Sequence, residues 1–83
     1  MDQSLLLSRL GHQIREKRKS RGLTQSRVAE LSGLPRKKVI AVEKGAPTVA
    51  MVAYARVLCA LDCELSVIPA ALPTLEELGV LFE

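Results

Sequence analysis

Eighty-three residues leave room for one domain with a modest core, a size at which pairing two copies is a natural way to bury more surface. Tyr54 and Phe82 are the only aromatics, so aliphatic side chains must supply the core, and base stacking on single-stranded nucleic acid is disfavoured. The net charge of +3 is split unevenly: residues 1–45 hold eleven of the twelve Lys/Arg and four acids, whereas residues 46–83 set Arg56 against five acids. A basic front suits a polyanion, and an acidic back suits something else.

The first expected helix covers residues 4–21, with Asp2 or Ser4 as cap. Leu6 or Leu7, Leu10, Ile14 and Arg18 trace one of its faces. The run Glu16 to Arg21 is a solvated face or, given its place at the entrance to the next helices, a source of phosphate contacts from Lys19 and Arg21. Arg18 lies on the apolar stripe, where it either finds a charged partner or snorkels to the surface. Gly22 ends this helix, and Leu23 anchors the crossing. Thr24 caps a second helix over residues 25–32, in which Val28, Ala29 and Leu31 share one side. Gly33 permits the sharp turn that follows, Leu34 plugs it, and Pro35 suits the start of a third helix over residues 36–44. Val39 and Val42 point inward, leaving Arg36, Lys37, Lys38, Ile40, Ala41 and Lys44 outside. A basic, solvent-facing helix start braced by a shorter helix across a turn suits the major groove of DNA.

Ala46-Pro47 breaks the chain, and Thr48 is the expected cap of a fourth helix running to about Leu61. That helix is apolar nearly all round, the pattern of a sandwiched helix. It is expected to pack on the first three helices and, through Leu58 and Leu61, on a second copy of the chain. Residues 63–68 alternate Leu65 and Val67 with Glu64, Ser66 and Ile68, which predicts a short strand. A strand alone in a helical domain needs a partner, and the same strand of a second subunit is the simplest one, with Leu65, Val67 and Ile68 at the contact. In the tail, Thr74 and Glu77 form a capping box ahead of Leu75, Leu78, Leu81 and Phe82. Residues 69–83 either fold over the protein's own dimer or dock a partner protein.

The residues Leu10-Gly11, Ile14, Arg18, Gly22-Leu23-Thr24-Gln25, Ala29, Gly33, Val39, Val42 and Glu43-Lys44-Gly45 resemble the Cro/CI-type (xenobiotic-response-element) helix-turn-helix family. The resemblance covers roughly residues 8–61. It implies an all-α, lambda-repressor-like bundle of about four helices, here followed by the expected strand. Residues 1–62 would be the DNA-binding domain, and residues 63–83 would serve dimerisation or partner docking. The helix-then-strand ending resembles the HipB-like branch, antitoxins that bind DNA as dimers.

By the same resemblance Arg36 and Lys37 reach base edges, Gln25 clamps a backbone phosphate, and Arg18 pairs with Glu43. Arg or Lys can donate to guanine O6 and N7, which points to a G-containing half-site, and Ile40 and Ala41 are placed to touch thymine methyls. Lys38 and Lys44 are expected on phosphates. The chain departs from the family at Pro35, where a capping Ser or Thr is usual, and at Ile40, where a polar residue is common.

The expected function is a dimeric repressor of a palindromic operator on double-stranded DNA, free-standing or as the antitoxin of a toxin–antitoxin pair. A protein-interaction module on the same fold, without DNA binding, is the alternative. Catalysis is not expected: His12 has no evident nucleophile or carboxylate partner. No cofactor is expected, nor a metal, because Cys59 and Cys63 lack further Cys or nearby His to complete a tetrahedral site. No run is apolar enough to span a membrane, and Leu5-Leu6-Leu7 is too short for a secretory leader. The place of action is therefore expected to be the cytoplasm, on the nucleoid when bound.

Overall fold

A computed structural model describes residues 1–70. They form four helices: α1 (Gln3–Ser20), α2 (Gln25–Ser32), α3 (Arg36–Glu43) and α4 (Met51–Ala60). The starts of the first two are set by side chains that substitute for missing helix partners. Asp2 accepts from the Leu5 N–H at 2.9 Å, and Thr24 Oγ1 accepts from the Arg27 N–H at 3.0 Å. The α2–α3 turn passes through Gly33 at φ 71°, a left-handed conformation that a side chain would strain. Pro35, extended at φ −62° and ψ 147°, is the residue before α3, so the departure from a capping Ser or Thr leaves the helix starting at Arg36 without a side-chain cap.

The core joins all four helices through Ile14, Val28, Val39, Val42, Ala53, Tyr54, Val57 and Leu58, closed below α4 by Leu61. Leu58 and Leu61 were expected at a dimer contact, but they are 8 % and 0 % exposed within their own subunit. The chain turns back after α4, with the Cys63 N–H donating to the Leu58 carbonyl at 2.8 Å, and both leucines belong to the core cluster, against which Cys63 packs. The outer side of α4 is instead carried by Met51 and Val52, 59 % and 61 % exposed. The helix is thus buried along one stripe and open along the other.

Its start also differs from expectation. The helix begins at Met51, and Thr48 lies in the preceding turns. A helix-end closure and a side-chain bond shape this connection: the Ala46 N–H donates to the Ala41 carbonyl at 3.1 Å across left-handed Gly45, and the Ala46 carbonyl accepts from the buried Tyr54 hydroxyl at 2.8 Å. Val49, partly buried against the core, is held in the same connection.

Residues 63–70 are neither helix nor strand within this single chain. A strand is defined by its ladder, and nothing among the described residues offers residues 63–68 an edge to pair with. The expected capping box at Thr74 and Glu77, and the apolar Leu75, Leu78, Leu81 and Phe82, lie outside the described residues, as does all but the first part of the 69–83 docking segment.

One close approach aims α3. A Cβ on Gly11 would lie 2.6 Å from the Glu43 carbonyl oxygen and 2.7 Å from the Gly45 nitrogen, so backbone meets backbone where α1 crosses the end of α3. Gly45, at φ 70°, faces the Leu7 backbone with equally little room. Hydrogen at both positions lets α1 clamp α3 at a fixed height.

Candidate nucleic-acid interface

The third helix divides cleanly by face. Val39, Val42 and Glu43 are buried, and Arg36, Lys37, Lys38 and Lys44 are exposed. Ile40 and Ala41 are half-buried, so they form the shoulder of the exposed face rather than its crest. Three successive cations on the first turn give α3 a positive end at the same place as its unsatisfied N–H groups and the positive pole of its dipole. A polyanion is the natural complement of that surface. Lys19 and Arg21 are also exposed, around the end of α1.

Beside this face the start of α2 is anchored from below. Arg18 Nε donates to Glu43 Oε2 at 2.6 Å, Arg18 Nη2 donates to Glu43 Oε1 at 3.2 Å, and Arg18 Nη1 donates to the Leu23 carbonyl at 2.8 Å. The Arg18 and Glu43 side chains are 11 % and 3 % exposed, so the pair is shielded from solvent and from salt. A guanidinium fork is the group able to hold a carboxylate with two nitrogens and still reach a carbonyl with the third. Gln25 joins the same cluster, its Nε2 donating to Glu43 Oε1 at 3.1 Å. One carboxylate at the end of α3 thereby ties the end of α1 to the start of α2.

Above the cluster lies a shallow polar notch of about 520 Å³, lined by Arg18, Leu23, Thr24, Gln25, Ser26 and Arg36. It lies where the first turns of α2 and α3 come together. Gln25, the expected phosphate contact, and Arg36, the expected base contact, thus share one depression. Lys37, Lys38 and Lys44 do not line it.

Sequence reasoning missed the Gln25–Glu43 bond and the place of Ser26 in the notch. The bond spans 18 positions and leaves no local pattern, although an amide at the first residue of a helix was a visible sign that its side chain had work to do. It also missed that His12 Nε2 lies 3.8 Å from Glu16 Oε1; both side chains are solvent-exposed, and a pair of this kind on one helix contributes little.

The pattern of residues 9–68 matches the model of a family described as a helix-turn-helix domain, which is more than half of the chain. The chain belongs to the helix-turn-helix family. Within it the protein is of the Cro/CI type, a class of DNA-binding transcription regulators rather than of enzymes. A high-resolution crystal structure of the restriction-modification controller protein C.AhdI from Aeromonas hydrophila is similar at 41 % sequence identity and a TM-score of 0.63, covering 70 % of this chain and 88 % of that one. No curated protein matches. In this helix-turn-helix protein α2 and α3 are the two helices of the motif and Gly33 is its turn. No helix among the described residues is long and apolar enough to cross a membrane.

Proposed function

We propose that the protein binds a palindromic operator as a dimer and represses transcription by occluding the promoter. The observation that carries this reading is the exposure of Arg36, Lys37 and Lys38 on the first turn of α3 while Val39, Val42 and Glu43 lock its other face inside. Arg36 and Lys37 read base edges, with guanine O6 and N7 as their acceptors, and Ile40 and Ala41 flank them against thymine methyls. Lys38, Lys44, Lys19 and Arg21 neutralise phosphates, and Gln25 holds one more at the start of α2.

Dimerisation places two recognition helices about 34–36 Å apart, one turn of duplex. Apolar surface for it is available on Met51 and Val52 and on the segment after α4, where Leu65, Val67 and Ile68 are 46 %, 102 % and 75 % exposed. Pairing of residues 63–68 across a two-fold axis would give that segment the ladder it lacks in one subunit.

The similarity to a restriction-modification controller favours an analogous regulatory role here, control of a neighbouring restriction-modification locus. An antitoxin that docks its toxin through residues 69–83 is the second reading, supported by the apolar sequence of that segment. The reading frames beside the gene separate the two.

Selection of bound duplexes from random DNA, followed by titration across salt concentrations, tests the proposal. Recovery of a two-fold symmetric, G-containing site with binding that weakens steeply in salt is the expected result. A protein with no salt-sensitive affinity for any duplex would instead be an interaction module.

A further inference from the structure

The cluster under the notch has a consequence beyond holding helices together. We infer that Glu43 is a positioning residue for phosphate binding, acting through Gln25. This deepens the operator-binding reading and rests on it.

A carboxylate paired with Arg18 can only accept hydrogen bonds, so the Gln25 atom facing it must be the nitrogen, as the 3.1 Å contact from Nε2 to Glu43 Oε1 has it. That nitrogen carries two hydrogens, and Glu43 takes one. The second stays with a side chain that lines the notch beside Ser26 and Arg36. A phosphate oxygen is also only an acceptor. Without Glu43 the Gln25 amide is free to turn over and present its oxygen to the phosphate, which repels it. With Glu43 in place the amide nitrogen is fixed through one hydrogen at the edge of the notch, and its second hydrogen is the one left for a ligand.

The backbone is prepared in the same way. Arg18 Nη1 holds the Leu23 carbonyl, and Thr24 Oγ1 takes the Arg27 N–H. The N–H groups of Gln25 and Ser26, which a helix start leaves without helical partners, are thereby set in position at the notch. Glu43 makes no contact with DNA in this scheme. It acts on binding through the rotamer of another residue.

Freezing one polar side chain in advance is worth roughly 2–10-fold in affinity, the ordering cost of a rotamer-rich group. The test uses the duplex recovered by selection, in its natural form and with single phosphates replaced one at a time by neutral methylphosphonate. Gln25→Ala identifies the phosphate concerned, as the position where replacement no longer weakens binding. Glu43→Gln, measured at a temperature where circular dichroism shows it folded, should lower affinity for the natural duplex by roughly 2–10-fold. It should also shrink the penalty at that one phosphate. When Gln25→Ala is already present, Glu43→Gln should have no further effect on affinity.

Additive effects of the two substitutions, or an undiminished penalty at that phosphate in Glu43→Gln, overturn the inference while leaving operator binding intact. Should Glu43→Gln not fold, the paired replacement Arg18→Met with Glu43→Leu, which fills the same space with apolar groups, is put through the same cycle. Loss of the single-phosphate penalty is again the expected outcome, and its persistence again overturns the inference. A protein that binds no duplex removes both this inference and the proposed function.

Discussion

Arg18→Met should come close to unfolding the protein, and a second substitution should bring most of the stability back. In the native structure the Glu43 carboxylate, 3 % exposed, receives two donors from Arg18 and one from Gln25. Removing Arg18 leaves a buried charge with the amide alone, a situation that destabilises by about 3–5 kcal/mol. The Leu23 carbonyl also loses its donor. A domain of this size has about 5–10 kcal/mol in total, the lower part of the usual range, so the variant retains little margin. At about 4–8 °C per kcal/mol for a chain this short, the melting temperature should fall by roughly 12–40 °C.

Adding Glu43→Leu removes the stranded charge and fills the site with apolar volume. The double variant should recover to within about 1–2 kcal/mol of the native protein, the remainder being the unpartnered Leu23 carbonyl and Gln25 amide. Thermal and urea denaturation followed at 222 nm measures both variants. A single variant within about 0.5 kcal/mol of native, the range expected of an ordinary surface change, would refute the claim that this pair is buried and coupled. A double variant no better than the single one would refute it equally.

The other expectations are smaller in scale. Gly11→Ala pushes a methyl against the Glu43 carbonyl and the Gly45 nitrogen, backbone atoms that cannot move aside, and should destabilise by about 1–3 kcal/mol in denaturation even though alanine is the better helix former. Tyr54→Phe loses the 2.8 Å hydroxyl contact to the Ala46 carbonyl and should lower stability by about 0.5–1.5 kcal/mol at neutral pH. Burial raises the Tyr54 hydroxyl above its ordinary value of 10.0, so the folded state favours the protonated form. That contribution is intact below about pH 10 and lost as pH rises past the raised value; melts between pH 9 and 11.5 should therefore fall more steeply for the native protein than for Tyr54→Phe. On DNA, Arg36→Ala should relax preference at one base pair by about 1–3 kcal/mol of discrimination, while Lys38→Ala should weaken all sequences alike and reduce the salt slope by about one. Competition binding with single-base operator variants distinguishes these outcomes.

What the sequence by itself determined was everything governed by near neighbours. Asp2, Thr24 and Gly33 set helix ends through bonds or turns within a few positions. The four-residue spacing of Leu10, Ile14 and Arg18 in α1 and the three-residue spacing of Val39 and Val42 in α3 marked the faces that turn inward, and with them the outward face of Arg36, Lys37 and Lys38. The tertiary structure decided what depends on distant segments meeting. Leu58 and Leu61 were expected on a second copy of the chain, and the packing of the four helices has them buried within their own subunit. Thr48 was an adequate cap on local grounds, but Tyr54 and Ala41 hold the neighbouring Ala46 in a turn and α4 starts later. The attachment of Gln25 to Glu43 likewise joins residues 18 positions apart, and depends on α2 and α3 packing so that the carboxylate meets the start of α2. Capping and periodicity are short-range and written along the chain; the choice among several chemically acceptable partners is made by packing, which no single stretch contains.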